Sequence, residues 1–275
     1  MKDDYPWFHY SEFWKCIAFG AVLEFCKRKI MAALYPIMYL YVKDKHDPVL
    51  RNKRALKASK YVFMTFYYTS MTIYGYIVLK DSAWLPDYMG GKGSWEGMWK
   101  GMPYIEPCQG ATTYAMFQLG YHGSDFIFHL MKDERENDFM EMTLHHASTF
   151  LLISSMTLAN FLPIGCVIAF LHDASDIPVA TLKLCTALED CELPAVANFL
   201  VVISIWFYLR NMCLTHLVYN IWIETEYKEP FTYYQPIINI SALLCSFLVV
   251  LQWYWLWLFI KCFLFYKKTG AAEDL

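Results

Sequence analysis

The chain has 275 residues, 57% of them hydrophobic and 19% aromatic, with 23 Lys and Arg against 26 Asp and Glu. A net charge of −3 and the lack of any basic stripe with interleaved aromatics exclude a nucleic-acid partner. Many apolar stretches approach the roughly 20 residues needed to cross a bilayer, which excludes a soluble domain. They predict one all-α polytopic membrane domain with short loops.

The first thirty residues carry Asp3, Asp4, Glu12 and Glu24, with no arginine before Arg28. That pattern argues against a cleaved signal peptide or organellar presequence, and is compatible with an uncleaved internal signal. Residues 13–42 hold two apolar runs split by Lys27-Arg28-Lys29. They predict either one tilted span or an interfacial helix followed by a short span. A basic stretch comes next (Lys43, Lys45, Arg51, Lys53, Arg54, Lys57, Lys60), and the first clear span is residues 61–79. Residues 80–107 are rich in Gly and Trp and read as a membrane-edge loop.

Further spans are expected at about residues 111–131, 141–160, 195–219 and 236–266. Another, carrying His172, comes after a tight turn near Pro163-Ile164-Gly165. The excess of Lys and Arg puts residues 43–60, residues 132–138 and the tail with Lys267 and Lys268 on the cytosolic side. Glu224, Glu226 and Glu229 then fall on the opposite side, and the histidine pair near the cytosolic mouth. The nine cysteines are scattered without a CxxC pair and read as free thiols.

His145 and His146 lie side by side in one apolar run, and His172, Asp173 and Asp176 lie in the next. A charged group near a helix centre costs about 2.5–3.5 kcal/mol. Asp125, Asp173, Asp176 and Arg210 therefore need mutual pairing or a watered cavity. At 100° per residue, Gln118, His122, Asp125 and His129 share an arc of about 60°. His145, His146 and Thr149 share a face of the next helix, and His172, Asp173 and Asp176 a face of the one after. Three polar stripes on neighbouring helices converge on one interior cavity.

Antiparallel pairing sets Asp176 level with the histidine pair and His172 about one turn deeper. A carboxylate there would orient an imidazole for general-base or nucleophilic work. Against this stand plainer roles: His122 and His129 as helix–helix glue, and Arg210 as the counter-charge of an aspartate. Two histidines with carboxylates would hold a metal ion, but the HxxxH and HxxHH blocks of membrane di-iron enzymes are absent. No metal site and no cofactor are expected.

Asp138-Phe139-Met-Glu141-Met142, His145-His146-x-x-Thr149, Asn160-Phe-x-x-x-Gly165 and His172-Asp173-x-x-Asp176 with Lys183 resemble the Lag1 motif of ceramide synthases, within the TLC (TRAM–LAG1–CLN8) domain family. Upstream, Tyr114-x-x-x-Gln118-Leu119-x-Tyr121-x-x-Ser124 is similar to the segment preceding that motif, and Lys57 with Tyr67-Tyr68 to the family's first core helix. The resemblance covers about residues 55–268. It divides the chain into an N-terminal segment and basic loop (1–54), a TLC domain (55–268) and a tail (269–275).

The resemblance implies a TLC-type bundle of six to seven transmembrane helices around a lipid-accessible cavity. It implies N-acylation of a long-chain sphingoid base, with acyl-CoA as co-substrate. His145 and His146 would activate the amine or accept the acyl group, Asp173 and Asp176 would orient them, and His172 would complete the catalytic set. Gln118, His122, Asp125, Thr149, Asn160, Lys183 and Arg210 are the expected substrate-binding residues.

Membrane lipids, a homo-oligomer or a larger membrane complex are the expected partners, and the endoplasmic reticulum the expected site, with the mitochondrial inner membrane as the alternative. Three positions depart from the family pattern: Pro163 replaces an arginine, Gln118 a glutamate and His122 an aromatic. Cations for a CoA phosphate are few (Lys132, Arg135, Lys183, Lys261). The competing reading is therefore a catalytically silent lipid-binding or accessory subunit.

Overall fold

The computed structural model describes residues 13–102, 105–131, 138–223 and 235–269. Among these residues the long elements are seven helices: α1 Phe13–Tyr41, α2 Pro48–Leu79, α3 Ala111–Leu130, α4 Phe139–Leu158, α5 Leu162–Ala187, α6 Glu192–Ile223 and α7 Gln235–Thr269. The chain is a multi-pass membrane protein. Helices α2, α5, α6 and α7 are each long and apolar enough to cross a bilayer. α3 and α4 are diluted by the polar stripes they carry inward. α1 carries Lys15, Glu24, Lys27, Arg28 and Lys29.

The N-terminal question resolves to a single helix of 29 residues, Phe13–Tyr41, continuous through Lys27-Arg28-Lys29. Its length, about 43 Å, exceeds the hydrocarbon thickness of a bilayer. It crosses α3 where Gly20 meets Gly120. A Cβ on Gly20 would stand 2.6 Å from the Gly120 carbonyl oxygen, and one on Gly120 2.5 Å from that of Cys16. Small residues are the usual means by which membrane helices approach so closely. Asp47 then caps α2, accepting from the Val49 and Leu50 amides at 3.0 and 3.1 Å, with Pro48 in the first turn.

α5 is the central helix, buried along most of its length, and carries the His172, Asp173 and Asp176 stripe inside the bundle. Its last turn meets the α1–α2 connection, where Lys43 N–H donates to the Ala187 carbonyl and Lys45 pairs with Glu189. α6 and α7 pack on the outside and turn large apolar residues such as Leu200, Phe207, Val250 and Trp257 outward. In the α2–α3 connection, Trp84, Trp95 and Trp99 are buried against the bundle end. The sequence pattern places this segment at the membrane edge; its indoles face the protein.

A second difference concerns the α4–α5 turn, expected at Pro163-Ile164-Gly165. The chain reverses earlier, at Asn160, which adopts φ +57°. The Phe161 amide donates to the Met156 carbonyl (2.7 Å) and the Asn160 amide to Thr157 (3.4 Å). This is a Schellman closure with asparagine in the left-handed position. Pro163 sits in the first turn of α5, where a missing N–H costs nothing. All nine cysteines are free, as read from their spacing.

Candidate functional site

The polar stripes of α3, α4 and α5 do meet. Four imidazoles run in a row from the α3–α4 end into the core, with ring centroids 5.2 Å apart for His129 and His146, 5.7 Å for His146 and His145, and 6.3 Å for His145 and His172. Trp255 of α7 closes the row from the side, its ring 5.2 Å from that of His145. His129, His146 and His172 are each less than 9% exposed.

Two of these rings have their tautomers fixed by what they touch. His172 Nδ1 lies 2.8 Å from the Ile168 carbonyl, so this nitrogen carries the proton and Nε2 keeps a lone pair in the neutral ring. That Nε2 is buried without a hydrogen-bond partner among the described residues, as are His145 Nδ1, Thr149 Oγ1 and Gln118 Oε1. His129 Nε2 lies 3.0 Å from Thr143 Oγ1, whose hydroxyl donates to the Phe139 carbonyl; the imidazole N–H therefore donates to Thr143. His129 thus ties α3 to the first turn of α4, the glue role. His122 is half-buried, its ring 5.4 Å from that of Tyr121.

The carboxylates are distributed differently from the expectation that Asp173 and Asp176 orient the histidine pair. Asp173, 1% exposed, accepts from Tyr114 Oη at 3.0 Å and from Gln118 Nε2. Asp176 accepts from Arg210 Nη2 at 2.6 Å. The carboxylate that reaches the pair is Asp125, whose Oδ2 lies 3.7 Å from His146 Nε2. The two aspartates face α3 and α6 instead, while the ring of His172 comes beside that of His145.

Arg210 is 1% exposed and stands in a π-helical stretch of α6, Trp206–Cys213. Such stretches occur often at functional sites. Its guanidinium donates to Asp176, to Ser175 Oγ (2.5 Å), to the His172 carbonyl (3.1 Å) and to Gln252 Oε1 of α7 (3.4 Å). It also lies 4.6 Å from the Trp206 ring centroid. With its donors spent inside the protein, Arg210 is the counter-charge of Asp176 and the clip joining α5, α6 and α7, rather than a ligand for substrate.

Two other expected binding residues lie away from the cluster. Asn160 is 15 residues from His145 along α4, about 22 Å, where its side chain donates to the Ile105 carbonyl. Lys183 is exposed, 5.8 Å from the Tyr61 ring centroid, about two turns beyond Asp176 toward the end of α5. Lys132 and Arg135 and the acidic loop Glu224, Glu226 and Glu229 lie outside the described residues.

Sequence reasoning missed Lys27, which reaches across from α1 to Asp125 (3.2 Å). The signal was a cation in the middle of a membrane-length helix, which needs an acidic partner. A narrow pocket of about 10 Å³ runs from Gln118 toward the α4–α5 turn, lined by Tyr114, Ile153, Met156, Cys166 and Ala169.

Fold and site define a polytopic helical membrane protein with a buried imidazole and carboxylate cluster between its core helices. The TRAM–LAG1–CLN8 (TLC) domain profile matches residues 57–261, and the chain belongs to that family. Among its relatives, a protein named ceramide synthase hyl-1 of Caenorhabditis elegans is 30% identical over 166 residues, 60% of this chain and 41% of that protein. Ceramide synthase 4 of Bos taurus is 25% identical over 239 residues, 84% and 55%. ASC1-like protein 3 of Oryza sativa is 29% identical over 161 residues, 58% and 54%. The chain thus spans about half the length of these relatives.

Proposed function

We propose that this protein is an acyl-CoA-dependent N-acyltransferase that forms ceramide-type lipids from a sphingoid base in an intracellular membrane, the endoplasmic reticulum. The observation that carries this reading is the pair of nearly parallel rings of His145 and His172, 6.3 Å apart, with His172 Nε2 and His145 Nδ1 buried and unpartnered among the described residues. Unsatisfied nitrogens in a dry interior cost about 1–3 kcal/mol each unless a ligand group completes them. An amine with neighbouring hydroxyls supplies the complementary donors.

The chemistry is proton transfer in a sheltered place. The neutral amine attacks the thioester carbonyl, the C–N bond forms and the C–S bond breaks. An imidazole of the cluster takes the proton from the amine nitrogen and returns it to the departing sulfur, giving the amide and free CoA thiol. Exclusion of water from the bundle interior protects the thioester from hydrolysis. Asp173 and Asp176, held by Tyr114, Gln118 and Arg210, fix the pose of α5 and so of His172.

A second reading, a catalytically silent lipid-binding or accessory subunit, rests on the narrow pocket. Its volume of about 10 Å³ lies far below the range of about 300–1,000 Å³ typical of ligand sites. The test is acyl transfer from acyl-CoA to sphinganine by purified protein in nanodiscs. The wild type is expected to form product and His146→Ala to lose at least about 100-fold in rate. Equal product from both, or none from either, overturns the enzyme reading. Isolation in a stoichiometric multi-subunit complex without activity favours the second.

A further inference from the structure

The catalytic face of the cluster has a carboxylate that the family's motif does not supply. Asp125 on α3 bridges two groups: Oδ1 lies 3.2 Å from Lys27 Nζ and Oδ2 3.7 Å from His146 Nε2. Lys27 is held in turn by Glu24 at 3.3 Å, and Glu24 also pairs with Arg28 at 2.8 Å. The side chains of Lys27, Asp125 and His146 are only 13%, 21% and 10% exposed, so the series runs through the protein rather than over its surface.

We propose that Asp125, anchored by Lys27 from α1, is the positioning residue that orients His146 by the attraction of its carboxylate for the Nε2–H it faces across 3.7 Å. Three observations converge on this. The other two aspartates of the cluster are engaged elsewhere, Asp173 by Tyr114 and Gln118 and Asp176 by Arg210. The Gly20–Gly120 crossing brings the α1 and α3 backbones together one to two turns before Lys27 and Asp125, and thereby fixes the reach of the lysine. An unpaired aspartate at this depth would be too costly to keep, whereas a lysine-paired one leaves its second oxygen to face the imidazole.

Lys27 lies before residues 57–261, so α1 completes the site from outside the family domain. In its catalytic consequence the inference rests on the acyltransferase reading. The orientation of the His146 ring does not depend on it.

The test uses the full chain in nanodiscs with 15N-labelled histidine, the His146 signals assigned with His146→Gln. The wild type and Lys27→Arg are expected to show a single Nε2–H tautomer for His146. Asp125→Asn and Lys27→Met are expected to show mixed tautomers, with turnover reduced about 100-fold for Asp125→Asn.

A charge swap separates positioning from plain helix pairing. Lys27→Asp with Asp125→Lys is expected to recover the melting temperature but neither the tautomer nor the turnover. Unchanged His146 signals in Asp125→Asn, or full turnover in the charge swap, overturn the proposal. If the wild type transfers no acyl group, the functional reading fails while the nitrogen spectra still decide the orientation.

Discussion

Arg210 Nη2 donates to Asp176 Oδ1 at 2.6 Å, joining the π-helical stretch of α6 to the central helix. The extra residue of a π turn rotates the remainder of the helix relative to an ordinary α-helix. Here the guanidinium stands beside Ser175, the His172 carbonyl and Asp176 at once. The pair therefore sets the height of His172 as well as neutralising two charges. Removing one partner of a buried pair leaves the other uncompensated, at a cost of about 3–5 kcal/mol. Arg210→Met is expected to lower stability by about 3 kcal/mol, the lower figure because Asp176 is partly accessible. Arg210→Met with Asp176→Leu is expected to regain most of it, and thermal unfolding in nanodiscs checks both.

Asp173 depends on two donors from α3. Tyr114→Phe removes the hydroxyl at 3.0 Å while filling the same space, and Gln118→Leu removes the amide. A hydrogen bond to a charged group contributes about 1.5–3 kcal/mol. Each single variant is expected to lose about 2 kcal/mol of stability. The double variant is expected to depart from additivity by at least about 0.5 kcal/mol, since both donors address one oxygen. A double-mutant cycle on melting measures the coupling.

At the α1–α3 crossing the side chains that matter are the absent ones. A methyl on Gly20 would meet the Gly120 carbonyl at 2.6 Å, and backbone cannot give way as a side chain can. Gly20→Ala is expected to cost about 1–3 kcal/mol, the usual range for overpacking. Because Lys27 rides on the same helix, the variant is also expected to alter the His146 ring signals as Lys27→Met does.

The sequence made the helices legible because each is a long apolar run with polar residues confined to one face, and that pattern survives packing. It also placed Gln118, His145, His146, His172, Asp173 and Asp176 on converging faces, and the structure brings these together. What it left unread was partner choice. Whether Asp173 faces an imidazole or the Tyr114 hydroxyl depends on the register between helices, and a shift of about 1.5 Å per residue decides it. The chain turns at Asn160 rather than at Pro163, and Asp176 faces Arg210 while the ring of His172 lies beside that of His145. The Lys27 contact was hidden for a different reason: it joins residues 98 positions apart on helices that periodicity treats separately.

Asn160 tests the position of that turn. Its φ of +57° costs an L-residue about 1–2 kcal/mol unless it is asparagine or glycine. Asn160→Gly loses the bond to the Ile105 carbonyl and keeps the backbone at ease. Asn160→Ala loses the bond and adds strain. Alanine is therefore expected to be less stable than glycine here by about 1 kcal/mol, the reverse of the order inside a helix. The comparison of two melting curves is sufficient.

His172 allows the base to be separated from the scaffold within one ring. Nδ1–H is committed to the Ile168 carbonyl at 2.8 Å, and Nε2 keeps a lone pair, buried without a hydrogen-bond partner among the described residues. Asparagine places an N–H near the position of Nδ1, and glutamine places a polar atom near that of Nε2. His172→Asn is expected to keep the backbone bond, so its melting temperature stays near the wild type, while turnover falls about 100-fold with the lost base. His172→Phe removes both nitrogens, and its stability is expected to fall by about 1 kcal/mol as the buried carbonyl loses its donor. If His172→Asn retains full turnover in the acyl-transfer assay, the proton passes through His145 or His146, and His172 only holds α5 in place.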